Sequence, residues 1–213
     1  MKKHVLITGA TKGIGRACAE LFAAQGWQIT AVARTAADLE AMKESFPTGQ
    51  LKTVATDLGV KADVEAIPIL AYDVVLLNAA AFAPGPLLGE EDIYGQLWNV
   101  NVGANHQLAR RLLPTMMECA AGHLVVIGSR GTDFQPAHLT AYVATKYALR
   151  GLFYGWEKEL GGTGVKATLI APGATLTASW ADEKPPDDIL APEAVAKVVW
   201  ACVSDEVEGR VTV

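Results

Sequence analysis

An apolar run, Val5-Leu6-Ile7, leads into Thr8-Gly9-Ala10-Thr11-Lys12-Gly13-Ile14-Gly15, and a helical pattern follows to about Gln25. A strand that feeds a glycine-rich turn and then a helix points backbone N–H groups and the positive end of the helix dipole at one spot, where a phosphate is stabilised. Glycines there permit backbone angles closed to other residues, let a pyrophosphate approach the main chain, and let helix and strand pack closely. The spacing is T-G-x-x-x-G-x-G, one residue longer in its first gap than the G-x-G-x-x-G dinucleotide fingerprint.

The rest of the chain repeats the strand-then-helix alternation. Strand candidates are 4–8, 28–33, 51–56, 73–78, 123–128, 165–171 and 209–213. Helical stretches lie near 13–25, 36–46, 61–70, 93–119, 141–160 and 192–203. Continuous Val/Ile/Leu strands separated by helices predict a parallel sheet covered on both faces, a three-layer α/β/α, doubly wound architecture. With 213 residues, 51% hydrophobic and 19% charged, residues 1–213 are expected to form a single domain. Only Ala178–Asp188, with Pro185-Pro186 and several acids, reads as an irregular insertion.

Composition narrows the partners. A net charge of −5 argues against a nucleic-acid surface and for small molecules. No run approaches the roughly 18 apolar residues of a membrane span, and the apolar segment before the glycines is too short for a secretory signal, so a cytoplasmic location is expected. Cys18, Cys119 and Cys202 and the four histidines show no ligand spacing, so no metal is expected.

Ligands of such sheets sit beyond the carboxyl ends of the strands. The second strand ends Ala33-Arg34, with Ala where an acid would bind a ribose 2′-hydroxyl and Arg where a 2′-phosphate is accommodated. Lys12 is a second cation toward that phosphate, and the pair without an acid favours NADP(H). Further strand ends carry Thr56-Asp57-Leu58, Asn78-Ala79-Ala80, Ser129-Arg130-Gly131 and Pro172-Gly173-Ala174-Thr175-Leu176-Thr177. Asp57 is read either as an adenine contact or as a turn cap. Tyr142 and Lys146, four apart on a helical stretch, share one face one turn apart. Asn99 and Asn101 sit oddly in a helical pattern, because Asn side chains compete for backbone hydrogen bonds.

Together these motifs resemble the short-chain dehydrogenase/reductase family, in order and from Val5 to about Val203. The resemblance implies a Rossmann-type fold and a cofactor site of Gly9, Thr11, Lys12, Gly13, Ile14, Gly15, Arg34, Asp57, Leu58, Asn78, Ala79, Ala80, Tyr142, Lys146, Pro172, Gly173, Thr175 and Thr177. It implies catalysis by Asn101, Ser129, Tyr142 and Lys146. Hydride reduction of a ketone leaves an alkoxide that needs a proton, and a phenol of reference pKa about 10 is an unwilling donor or acceptor near neutrality. An adjacent Lys146 ammonium is expected to favour the Tyr142 phenolate. Ser129 would hold the carbonyl oxygen, and Asn101 a relay water. The sequence departs from the family at Leu77 and Ala80, where many members carry Asn and Gly, and its ending lacks their Asp-Gly-Gly-like residues.

The resemblance further implies a substrate lid at about 178–190, short here, over a small or open pocket walled by Phe82, Arg130, Phe134, His138 and Trp180. The acids Asp182, Glu183, Asp187 and Asp188 against one Lys184 argue against acyl chains on an acidic carrier. Two helical stretches bearing Leu97, Trp98, Leu152, Phe153 and Trp156 suggest a homodimer or homotetramer; a species sedimenting as a 22.5 kDa monomer would contradict it. The expected activity is NADPH-dependent reduction of a small ketone or aldehyde, or the reverse. One alternative is a non-catalytic NADP(H)-binding redox sensor. A nucleotide-sugar epimerase or dehydratase would need more than the 36 residues that follow Thr177.

Overall fold

The computed structural model describes residues 2–85, 93–177 and 187–213. Seven strands form one parallel sheet: β1 His4–Thr8, β2 Gln28–Ala33, β3 Leu51–Ala55, β4 Val74–Leu77, β5 Gly122–Ile127, β6 Val165–Ala171 and β7 Gly209–Thr212, in the order β3-β2-β1-β4-β5-β6-β7. The chain winds outward from β1 in one direction and from β4 in the other. The two adjacent strands pair Ile7 with Leu76, and the crevice beyond their carboxyl ends is the topological switch point where ligands bind in such sheets.

Strand alternation sorts the apolar side chains into two cores. Val5, Ile7, Ile29, Leu76, Val125 and Ile127 face α1 (Gly13–Ala24), α2 (Ala36–Lys43) and α8 (Pro192–Ser204). Leu6, Val32, Val75, Leu77, Leu124 and Val126 face α5 (Asn105–Glu118) and α7 (Thr140–Leu160). The central strands are therefore apolar on both sides, as a buried parallel sheet requires, while the edge strands β3 and β7 are only partly buried. None of the described helices is long and apolar enough to cross a membrane.

Three elements differ from expectation. The 61–70 stretch is a single turn, α3 Lys61–Val64, relaxing through i to i+3 bonds up to Ile67; Pro68 cannot donate and restricts the residue before it. The 93–119 stretch is α4 (Tyr94–Trp98), a π-helical turn Asn99–Ala104, then α5. A four-residue helix, α6 Gly131–Phe134, follows β5 unforeseen. Leu97 and Phe153, expected at an association face, lie in the protein's own core at 2% and 0% exposure.

His123, at the start of β5, is expected to make stability sensitive to acid. Thr168 Oγ1 donates to Val207 O and so accepts from His123 Nε2–H, at 2.7 Å. Burial pushes the imidazole down to about 4. The unfolded chain takes up that proton below about pH 6.5, so this stability is present above 6.5 and lost as pH falls toward 4, amounting to about 3 kcal/mol. Urea unfolding at pH 7 and pH 4.5 is expected to show the loss, with a flatter pH dependence in His123→Gln. Equal pH dependence in the two proteins would refute the assignment.

Candidate catalytic site and nucleotide cradle

Beyond β1 the glycine loop is wound tightly. Gly9 and Gly13 have φ of 65° and 53°, the left-handed region that disfavours side chains. A Cβ on Gly15 would stand 2.2 Å from Gly9 O and 2.5 Å from Asn78 Nδ2; one on Gly13 would stand 2.8 Å from Thr177 Cγ2. Lys12 precedes α1 without a side-chain cap, and the first turn holds no acid. Backbone donors at a helix N-terminus without a side-chain cap, in a loop closed to side chains, fit a dinucleotide pyrophosphate.

What holds that loop was missed in the sequence. Thr8 Oγ1 accepts the N–H groups of Asn78 and Ala79, both at 3.0 Å, and donates to Leu76 O at 3.4 Å. Asn78 Nδ2 donates to Thr8 O (2.8 Å) and Gly9 O (3.2 Å). Asn78, expected at the cofactor, thus braces the cradle from β4; Thr8, the last residue of β1, locks both strand ends. A buried Thr ending a strand next to an Asn motif was the available signal.

At the end of β2, Arg34 is exposed as expected. Lys12, however, pairs with Asp38 in the first turn of α2, Nζ to Oδ2 3.0 Å. The cation cluster therefore has an acid beside it, five residues past Ala33, which only the start of α2 brings to the glycine loop. Asp57 Oδ1 accepts the Gly59 N–H at 2.8 Å, the turn-capping reading, and Leu58 packs against the second core. Ala79 lies against Gly9, and Ala80 is exposed. Thr11 is half-buried, and Ile14 packs on the first core.

Past β6, Pro172 O accepts the Arg130 N–H (2.9 Å) and Gly173 N–H donates to Val213 O (3.0 Å), so this turn is strapped to the β5 loop and to the chain's last residue. Thr175 Oγ1 donates to Gly173 O at 3.1 Å. Residues 174–176 pair with Leu190. Trp180, Asp182, Glu183 and Lys184 lie outside the described residues.

Ser129, Tyr142 and Lys146 meet above β5. Ser129 Oγ accepts the Gly131 N–H at 3.0 Å and neighbours the Tyr142 hydroxyl. Lys146, 2% exposed, donates to Ile127 O at 3.1 Å, its Nζ 5.6 Å from the Tyr142 ring centre. Phe82 packs edge-on to that ring, centres 4.9 Å apart. Asn101 is fully buried: Oδ1 accepts the Ala81 N–H (2.7 Å), while Nδ2 donates to Ala81 O (3.0 Å) and Thr145 Oγ1 (2.9 Å). It sits in the π-helical turn, a distortion that frees backbone carbonyls and favours functional sites. Asn99 is exposed.

Burial, rather than the neighbouring cation, governs the phenol. It pushes Tyr142 up to about 12, opposed by the neighbouring Ser129 hydroxyl; the expected lowering by Lys146 is not found. Burial likewise brings the Lys146 ammonium down to about 8. Both shifts run toward the neutral form, because burial penalises either charge, yet below about pH 8 Lys146 still carries its proton. A phenol that keeps its proton near neutrality can donate it to a developing alkoxide.

Behind Ser129, Asp133 on α6 accepts Arg150 of α7 at Oδ1 (3.1 Å) and Arg210 of β7 at Oδ2, and the two guanidinium groups hold its carboxyl below the usual carboxylate range. Arg150 lies one turn beyond Lys146. The cluster ties the loop that carries Ser129 to the helix that carries Tyr142.

A seven-stranded doubly wound sheet with a glycine cradle and this Ser/Tyr/Lys meeting point defines a dinucleotide-binding class, and comparison with known proteins assigns the family. The short chain dehydrogenase family model matches residues 3–188, and the chain belongs to that family. An uncharacterized oxidoreductase of Staphylococcus aureus is 32% identical over 205 residues, covering 92% of this chain and 89% of that protein. A short-chain dehydrogenase from Sphingobium yanoikuyae in complex with NADPH superposes with a TM-score of 0.90 at 24% identity, covering 99% and 87% of the two chains. The closed form of a serine dehydrogenase complexed with NADP+ gives a TM-score of 0.90 at 25% identity, covering 99% and 94%.

Proposed function

We propose that this oxidoreductase uses NADP(H) to interconvert a small ketone or aldehyde with its alcohol. The observation that carries the reading is the convergence of Ser129, Tyr142 and Lys146 at the end of β5, with the Arg130 N–H of the same loop on Pro172 O. When bound, the nicotinamide supplies or accepts the hydride. Ser129 then orients the substrate oxygen toward Tyr142, and the Tyr142 hydroxyl donates its proton as charge develops there. Lys146 stands behind Tyr142 to hold the nicotinamide ribose and, through water at Asn101, to renew that proton. Asn101 serves through its main-chain oxygen, which accepts Asn105 Nδ2 at 2.9 Å and retains a second lone pair.

Arg34 and Lys12 support NADP(H) over NAD(H), with Asp38 as the counter-ion that a 2′-phosphate displaces from Lys12. An exposed pair of this kind is worth little, so the exchange is favourable. Fluorescence titration is expected to give NADPH binding about tenfold tighter than NADH. Arg34→Ala should erase most of that difference and Asp38→Asn enlarge it; indifference of the NADPH/NADH ratio to both would overturn the assignment. Tight NADPH binding without turnover on a broad panel of ketones, diketones and aldehydes would favour the redox-sensing alternative.

The same reading includes association through a groove of about 540 Å³ between α4–α5 and α7, lined by Trp98, Leu113, Met117, Leu152 and Trp156. Trp98 and Met117 are 38% and 41% exposed there, an apolar surface suited to a second copy. A cytoplasmic location accords with this reading.

A further inference from the structure

Arg130 follows Ser129 directly, and among the described residues its side chain makes no hydrogen bond or ion pair. Its N–H is fixed to Pro172 O at 2.9 Å, so the residue is held between the β5 and β6 loops. The side chain runs alongside Gly173: its Cδ and Nη1 both stand 3.9 Å from where a Gly173 Cβ would be. The residue is exposed. The one acid on the adjoining helix, Asp133, pairs instead with Arg150 at Oδ1 and with Arg210 at Oδ2.

We infer that Arg130 is the anchor for a carboxylate on the substrate, so that the protein acts on short-chain oxo or hydroxy acids rather than on neutral ketones or alcohols. The inference rests on the reading of Ser129 and Tyr142 as the reacting end of the site. A guanidinium matches a carboxylate with two parallel hydrogen bonds, giving orientation as well as attraction. The guanidinium lies by the Gly173 turn that Pro172 straps to the Ser129 loop, so an anion held there neighbours an oxygen held on Ser129. The edge of Phe82 against Tyr142 offers the apolar part of such a molecule a wall. The net charge of −5 opposes an anion only at long range and is screened over about 8 Å at physiological salt, whereas a contact pair is screened far less.

The test compares 3-oxo and 4-oxo acids with their methyl esters, which keep the skeleton and remove the charge. NADPH oxidation is followed for the native chain, Arg130→Gln and Arg130→Lys; in parallel, calorimetry measures binding of 3-hydroxybutyrate and its methyl ester to the NADP+-saturated protein. The native chain is expected to favour acid over ester at least tenfold in KM. Arg130→Gln should bring that ratio within about twofold, and Arg130→Lys should restore part of it, because an ammonium lacks the two-pronged geometry. Equal KM for acid and ester in the native chain, or an acid preference that survives Arg130→Gln, overturns the inference. If nothing turns over, calorimetry still decides: binding of the acid alone, lost in Arg130→Gln, upholds the carboxylate site while the reductase reading fails, and no preference for the acid overturns it.

Discussion

Tyr142→Phe is expected to lower turnover of the best carbonyl substrate about 10³-fold while leaving NADPH affinity within about threefold, since the phenol supplies the proton and little of the cofactor binding. The companion change Lys146→Met separates function from stability. Burial lowers the ammonium from 10.5 to about 8, so between those values the folded chain binds fewer protons than the unfolded one, and stability rises with pH across that window. Below about pH 8 the full penalty applies, on the order of 3 kcal/mol. At pH 7 Lys146→Met should therefore unfold at equal or higher urea than the native protein while turning over at least 10²-fold more slowly. Retained activity in Tyr142→Phe, or marked destabilisation in Lys146→Met, would break this account of the site.

Gly15→Ala is expected to abolish measurable NADPH binding, with at least a hundredfold loss, and to destabilise the fold by about 1–3 kcal/mol. The new Cβ would meet Gly9 O at 2.2 Å and Asn78 Nδ2 at 2.5 Å, and one of these contacts is backbone. The loop must open, and with it the row of N–H groups that fits a pyrophosphate. Gly26→Ala is the control: at φ 82° it is strained by its backbone, yet nothing lies within 4 Å of its Cβ position, so stability should fall without a change in NADPH affinity. Nucleotide fluorescence and urea midpoints on both variants distinguish a damaged cradle from general backbone strain.

The meeting point of the candidate site was legible because its residues lie at strand ends, and strand ends are local features. Ser129, Tyr142 and Lys146 were picked out by the family resemblance, their spacing allowing one shared face, and Gly13 and Gly15 by a turn that excludes side chains. Asn78's bracing of the cradle was not legible: its amide reaches Thr8 O across 70 positions, a contact that no local pattern reveals. Lys12 was seen as a free cation because Asp38 lies 26 positions away along the chain. The 61–70 helix failed at Pro68, whose effect on the preceding turn outweighed periodicity.

The sequence by itself determined the alternation of strands and helices, the two-sided apolar strands, the glycine turn and the order of the reactive residues. Each depends on φ/ψ preference, side-chain period or spacing within one turn. The tertiary structure alone decided the pairing of β1 with β4, the Thr8–Asn78 lock, the Asp133 clamp on Arg150 and Arg210, and the direction in which Tyr142 and Lys146 titrate. Those depend on which distant groups share a small dry volume. Desolvation there outweighs the effect of a neighbouring charge, and no spacing along the chain encodes it.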